Sequence, residues 1–337
     1  MNREPATPDG RLHYADDGVP GYTRRRRPNG FTYYDTRGKP IRDAATLARI
    51  RALAIPPAYE SVWICPSADG HLQATGRDAR GRKQYRYHPE WRALCEADKY
   101  GQLLAFGESL PRIRRRVACD LRRPALSREK VLSVVVRLLE ATLIRVGTRE
   151  YARSNGSYGL TTLLRHHARV DGQRLRLRFR GKSSVPHDVT VTDRTVARTV
   201  RRCLEIPGQQ LFQYLDADGQ PHDVDSDMVN AYLKEACGSD FTAKHYRTWA
   251  GSVHALAELR RPEYAEPSAS HVAAAVRKVA ERLYNTPAVC RKCYIHPAVI
   301  DAYLAGELAP GGSAPAGPAG LKADERRLLG LLRRAKG

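Results

Sequence analysis

The sequence predicts an α+β protein: a small β-rich N-terminal domain, then a larger, mainly α-helical domain that carries a three-stranded sheet. Three observations predict it. Before residue 100, short aromatic and β-branched runs alternate with Gly, Pro and Asp turns, the pattern of half-buried strands. Beyond Leu103, apolar residues recur at intervals of three and four, the repeat of amphipathic helices. Between residues 160 and 191 that repeat gives way to strict alternation, as in Leu175, Leu177 and Phe179.

The elements follow in order. Residues 1–27 are polar and Gly/Pro-rich, end in Arg24 to Arg27, and read as a mobile basic arm. The β-rich domain spans 28–98. A hairpin is expected at 31–41 around a Gly turn, then a helix at 44–53 and strands at 61–64 and 71–76. The helical domain spans 99–308. Ser127 can cap a helix with Val131, Val134, Val135, Leu138, Leu139 and Thr142 on its apolar face, and Gly147 should stop it. Turns at Asp171-Gly172 and Gly181-Lys182 divide the alternating stretch into three strands. Helices are expected at 193–204, 226–236, 243–258 and 270–283. Residues 309–337 read as a Pro/Gly/Ala linker and a short basic amphipathic tail.

Of 337 residues, 57 are Lys or Arg and 36 Asp or Glu, a net charge of +21 that calls for a polyanionic partner. With 42% hydrophobic and 28% charged residues, the chain is compositionally an ordinary globular protein, not a disordered one. No apolar run is long enough to span a membrane, and the N-terminus has no apolar signal core. Seven scattered cysteines, an odd number, suit a reducing compartment better than a disulfide framework. A cytoplasmic, nucleoid-associated protein is the expectation. Walker, paired-carboxylate and His-Glu-x-x-His motifs are absent, so no nucleotide, metal or other cofactor is expected. Cys290-x-x-Cys293 lacks a second ligand pair and reads as two cysteines on a helix end. Asp216-Ala-Asp218-Gly219 reads as a plain turn.

Basic residues are mostly Arg, 46 against 11 Lys. A lysine retained in such a background is suspect of chemistry that needs a transferable proton, which Arg cannot supply. Five segments stand out in order: Ile144-Arg145-Val146-Gly147, Phe179-Arg180-Gly181-Lys182-Ser183, Lys244-His-Tyr-Arg247-Thr248-Trp249, Asn285-Thr-Pro-Ala-Val, and Cys290-Arg-Lys-Cys-Tyr294-Ile295. Together they resemble the type IB DNA topoisomerases, and in particular the short poxvirus-like form found in bacteria, over residues 20–308. The run from Gly76 to Tyr87 looks like that family's DNA-contacting loop, with Arg80, Arg82, Lys83, Gln84, Tyr85 and Tyr87 as its polar and aromatic contacts.

The resemblance implies an isomerase with the tyrosine recombinase/type IB topoisomerase catalytic fold. It would relax positive and negative supercoils through a 3′-phosphotyrosyl intermediate, without ATP or metal. Tyr294 would be the nucleophile, storing the phosphodiester energy in a covalent bond. Arg145 and Arg247, about a hundred residues apart, would stabilise the non-bridging oxygens with permanently charged, directed donors. Lys182 would protonate the departing 5′ oxygen. Tyr151 and Lys244 would contact DNA near the scissile phosphate. The poxvirus pattern has His where this chain has Asn285, which can donate a neutral hydrogen bond but carries no charge. A monomer clamping duplex DNA is expected. Two alternatives remain: a tyrosine recombinase, which usually has His-x-x-Arg in place of Lys244-x-x-Arg247 and a helical N-terminal domain, or a non-catalytic basic DNA-binding protein, which would form no covalent adduct.

Overall fold

Alternating residues between Tyr22 and Tyr87 build one antiparallel sheet in the computed structural model, which describes residues 11–79, 81–308 and 310–335, with backbone alone at 95–99. The chain divides into two compact units, Met1–Lys99 and Tyr100–Gly337. In the first, strands β1 (Tyr22–Arg27), β2 (Gly30–Tyr34), β3 (Glu60–Ile64), β4 (Leu72–Arg77) and β5 (Lys83–Tyr87) pair in the order β2-β1-β3-β4-β5. Helix α1 (Ala44–Ala52), capped by Asp43, contributes Ile50 to a small core with Val62, Ile64 and Ala74.

Two expectations are corrected here. Arg24 to Arg27 are not an arm; they are strand β1, and the hairpin partner of β2. The basic run is ordered because its side chains have places to go. The Arg24 guanidinium donates to the carbonyls of Ile55, Pro56 and Tyr59 at 3.1, 3.0 and 2.6 Å and lies 4.1 Å from the Phe31 ring centre. Arg25 lies 4.7 Å from that of Tyr34. Residues 1–10 of the expected arm lie outside the described residues. The expected 31–41 hairpin has its turn, with Gly38 at φ +75° and Asp35 accepting from the Arg37 and Lys39 amides. Its second limb is only a bridge from Tyr34 to Pro40, because proline has no N–H to continue the ladder.

Helix α2 (Pro89–Asp120) crosses the division between units. The second unit then runs α3 (Arg128–Thr142), α4 (Arg149–Asn155), β6 (Ala168–Asp171), β7 (Arg174–Arg180), β8 (Pro186–Thr192), α5 (Arg194–Glu205), β9 (Gln213–Leu215), β10 (Pro221–Asp223), α6 (Ser226–Cys237), α7 (Ala243–Leu259), α8 (Ala269–Arg282), α9 (Pro287–Cys293), α10 (Pro297–Leu304) and α11 (Ala323–Arg334). Ser127 caps α3, whose Val131, Val134, Val135, Leu138 and Leu139 sit at the centre of one large core. That helix ends at Thr142, short of the expected stop at Gly147, because Leu143 turns left-handed at φ 57°. Residues 143–148 are irregular in consequence.

Strands β6, β7 and β8 form the three-stranded antiparallel sheet, with Leu175, Leu177 and Phe179 turned into the core. Between β9 and β10 the Asp216 carboxylate accepts from the Asp218 and Gln220 amides, which makes Asp216–Gly219 the plain turn expected. The C-terminal helix docks its apolar face: Leu328, Leu329, Leu331 and Leu332 join the main core, and Arg114 bridges Glu325 and Glu140 at 2.6 and 2.7 Å. No described helix is long and apolar enough to cross a membrane.

Candidate active site

The irregular segment after α3 holds Arg145 by backbone contact. Its carbonyl accepts from the Leu160 amide at 2.9 Å, and the Val146 carbonyl from the Thr161 amide at 2.8 Å. Two glycines make that approach possible. A Cβ on Gly159 would lie 2.5 Å from the Arg145 oxygen, and Gly147 has φ +87°. Arg145 Nη2 donates to Asn285 Oδ1 at 2.6 Å, so the asparagine following α8 steers a guanidinium from a segment 140 residues earlier.

Arg247 lies on the inner face of α7 and is 4% exposed, an unusual position for an arginine. Its guanidinium donates to the Leu143 carbonyl and, at 2.7 Å, to the Leu283 carbonyl. Burial, then repulsion by Arg145, lowers its pKa from the ordinary value. Arginine nonetheless stays charged in proteins, so the site holds two like charges in partial desolvation. Arg247 Nε and Asn285 Nδ2 are buried donors with no hydrogen-bond partner among the described residues. The Arg247 guanidinium carbon stands 5.0 Å from the Tyr294 ring centre.

Tyr294 closes α9, its amide donating to the Cys290 carbonyl at 2.9 Å. The backbone there is pressed against α7: a Cβ on Gly251 would lie 2.3 Å from the Tyr294 carbonyl oxygen. Cys290 is buried and Cys293 half-buried on this helix end, the placement expected of them. Lys182 is exposed at the β7–β8 turn, beside Ser183 and Ser184, both left-handed at φ 61° and 59°. Gly181 abuts the buried His187 ring, since a Cβ there would lie 2.5 Å from Nε2. That ring stacks on Phe179 at 4.7 Å and meets Tyr284, next to Asn285, at 4.0 Å. Burial first, then the charges of Arg145 and Arg247, pushes the His187 pKa down to about 4, so the ring is neutral near pH 7.

One cleft of about 310 Å³ is lined by Arg145, Tyr151, Lys182, Lys244, Arg247 and Tyr294, with Gly147, Ser157 and Tyr158. Four cations face it and no carboxylate is among its lining residues. Such a cleft attracts an anion, since no lining carboxylate neutralises its cations in advance. Asn285 adjoins it through Arg145. Lys83, Tyr85 and Tyr87 project from one face of β5 in the first unit, the two phenol rings exposed and stacked at 6.0 Å. Lys83 also pairs with Asp17 at 2.6 Å. Arg82 and Gln84 both turn to Asp78 Oδ2, at 2.8 and 3.0 Å, and so hold their own hairpin together. Arg80 lies outside the described residues. Sequence reading missed Gly159, Gly251 and His187. A glycine inside a helix, as at 251, was the one available signal for the second.

The model of the eukaryotic DNA topoisomerase I catalytic core matches residues 88–306, and that of the bacterial DNA topoisomerase IB N-terminal domain matches 30–78. A DNA topoisomerase 1B of Acanthamoeba polyphaga mimivirus is 28% identical over 293 residues, 84% of this chain and 87% of that protein. The DNA topoisomerase 1B of vaccinia virus (strain Copenhagen) is 21% identical over 248 residues, 72% of this chain and 75% of the viral one. The monkeypox virus DNA topoisomerase I is likewise 21% identical over 248 residues, with the same coverage.

Proposed function

The chain belongs to the DNA topoisomerase IB family, and from that membership we propose how its cleft cuts and rejoins one DNA strand. The observation that carries the reading is the convergence of Arg145, Lys182, Lys244, Arg247 and Tyr294 on one carboxylate-free cleft. A scissile phosphate seated there meets the Tyr294 oxygen as nucleophile. The P–O bond to the 5′ carbon's oxygen breaks as the bond to Tyr294 forms, the phenol proton passing to solvent, which leaves a 3′-phosphotyrosyl link. Arg145 and Arg247 stabilise the negative charge that grows on the non-bridging oxygens, where preorganised donors are worth most. Asn285 shares that work in two ways, holding Arg145 through Oδ1 and offering Nδ2 as a neutral donor. Lys182, on an exposed turn beside the cleft, delivers the proton the departing 5′ oxygen needs. Tyr151 and Lys244 bind the flanking backbone.

The free 5′ end then rotates and supercoils of either sign relax, after which the 5′ hydroxyl reverses the bond. Retention of the phosphodiester energy makes ATP unnecessary. Lys83, Tyr85 and Tyr87 offer a cation and two stacked rings to duplex DNA, and Arg80 would join them. A single chain clamping duplex DNA, working at the nucleoid, is the simplest assembly consistent with one complete site per chain. A suicide duplex tests the reading: the protein should form an SDS-resistant adduct, and Tyr294→Phe should form none while binding duplex normally. Adduct from Tyr294→Phe would place the nucleophile elsewhere.

A further inference from the structure

The outer face of the three-stranded sheet carries a row of arginines that the cleft does not use. Arg174, Arg176, Arg178 and Arg180 alternate outward along β7, and Arg169 of β6 stands directly opposite Arg176. All five are exposed. The same face offers only Asp171 and Asp188 in return. Asp188 is held by Arg176 at 2.6 Å, with Arg178 at 3.5 Å, while among the described residues Arg169, Arg174 and Arg180 make no ion pair. One like pair, Arg169 against Arg176, is directly opposed across the ladder, which costs a sheet stability, while Arg174 faces Asp171 and Arg178 faces Asp188.

Geometry says what offsets that cost. Outward residues on one strand recur about every 6.8 Å, close to two nucleotide rises of a DNA strand. The row ends at Arg180, two residues before Lys182 in the cleft, so it is continuous with the cleavage site. Guanidiniums suit phosphate oxygens in particular.

We propose that the outer face of β6–β8 is a phosphate-tracking surface that binds the same duplex beyond the cleft. The assignment rests on the proposed seat of the scissile phosphate beside Lys182. It extends the DNA-binding surface by about seven base pairs, the ~24 Å that the seven residues of β7 span.

The test is the variant Arg169→Gln/Arg174→Gln/Arg178→Gln in the full chain. None of the three side chains is buried, and Leu175, Leu177 and Phe179 beneath them are untouched. Two suicide duplexes are compared, one confined to the cleft and one extended by about ten base pairs on each side. The variant should form adduct on saturating short duplex at the unmutated rate. On the long duplex it should lose the affinity that the extra length confers. Its plot of log affinity against log salt should be shallower by about 2 to 3, near 0.9 for each phosphate contact removed. An unchanged slope on the long duplex would overturn the proposal. So would an equal loss of adduct on the short duplex, which would put these arginines in the cleft itself. Lost retention on phosphatidylglycerol vesicles, with DNA binding intact, would assign the face to a membrane and also overturn it. None of these results touches the nucleophile assignment, which stands or falls with Tyr294→Phe.

Discussion

Lys182 and Asn285 are the two residues whose proposed roles differ most from plain charge stabilisation. A lysine that donates its proton is dispensable when the leaving group needs none. Lys182→Ala should slow cleavage of ordinary DNA by about 10²–10⁴, the usual worth of general acid catalysis. Replacing the bridging 5′ oxygen by sulfur should restore it to near the unmutated rate, since a thiol of pKa about 8.5 leaves unaided. Single-turnover cleavage of both strands measures this, and a variant equally slow on each would make Lys182 a phosphate-binding residue. Asn285 accepts from Arg145 at 2.6 Å. A neutral imidazole can accept in that way and an imidazolium cannot. Asn285→His should therefore cleave well above pH 7 and weaken as the pH falls through about 6.5. A rate that rises on acidification would show instead that added charge at the phosphate outweighs the support of Arg145.

Helix α7 presents Arg247 to the cleft and leaves its next turn bare, at Gly251, where the Tyr294 carbonyl is seated. The glycine weakens the helix by roughly 0.5–1 kcal/mol relative to alanine. The gain is the position of Tyr294, the proposed nucleophile. Gly251→Ala should push the α9 terminus outward, since a Cβ 2.3 Å from an oxygen cannot be accommodated by a side-chain rotation. A shift of about 1 Å at the reacting oxygen is expected to cost on the order of 10² in adduct formation. Duplex binding should be unchanged, as measured by filter retention. An unaltered cleavage rate would mean that α7 and α9 slide apart without moving Tyr294.

At the scale of the whole molecule, burial holds His167, His187 and His254 neutral, lowering each pKa to about 4. For His187 and His254, neighbouring cations reinforce the effect, Arg145 and Arg247 in one case, Arg282 and Lys322 in the other. Unfolded histidine titrates near 6.5, so between about 6.5 and 4 the unfolded chain binds more protons. Stability should accordingly be full above pH 6.5 and fall as the pH drops through that window. Each group adds about 1.4 kcal/mol per pH unit to the slope there. Urea midpoints from pH 7.5 to 4 measure it, and His254→Gln should remove about one proton from the dependence. A flat profile across the window would mean these rings gain water or a partner on acidification.

The sequence by itself determined the elements whose free energy is local. Ser127 and the three-four repeat after it specified α3, and alternation with Gly turns specified β6 to β8, because caps and side-chain periods act within a few residues. It also determined the candidate chemistry, since transferring a proton, neutralising a phosphate and attacking phosphorus each demand a particular side chain. Tertiary structure alone decided what lies between distant segments. Arg24 to Arg27 read as a solvated arm until Phe31 and the carbonyls of residues 55–59 supply a place for them. Nothing near Asn285 in the chain announces Arg145, nor does anything near Gly251 announce the Tyr294 carbonyl. Those pairings are set by how helices and strands pack, and packing depends on the shapes of whole faces rather than on any local run of residues.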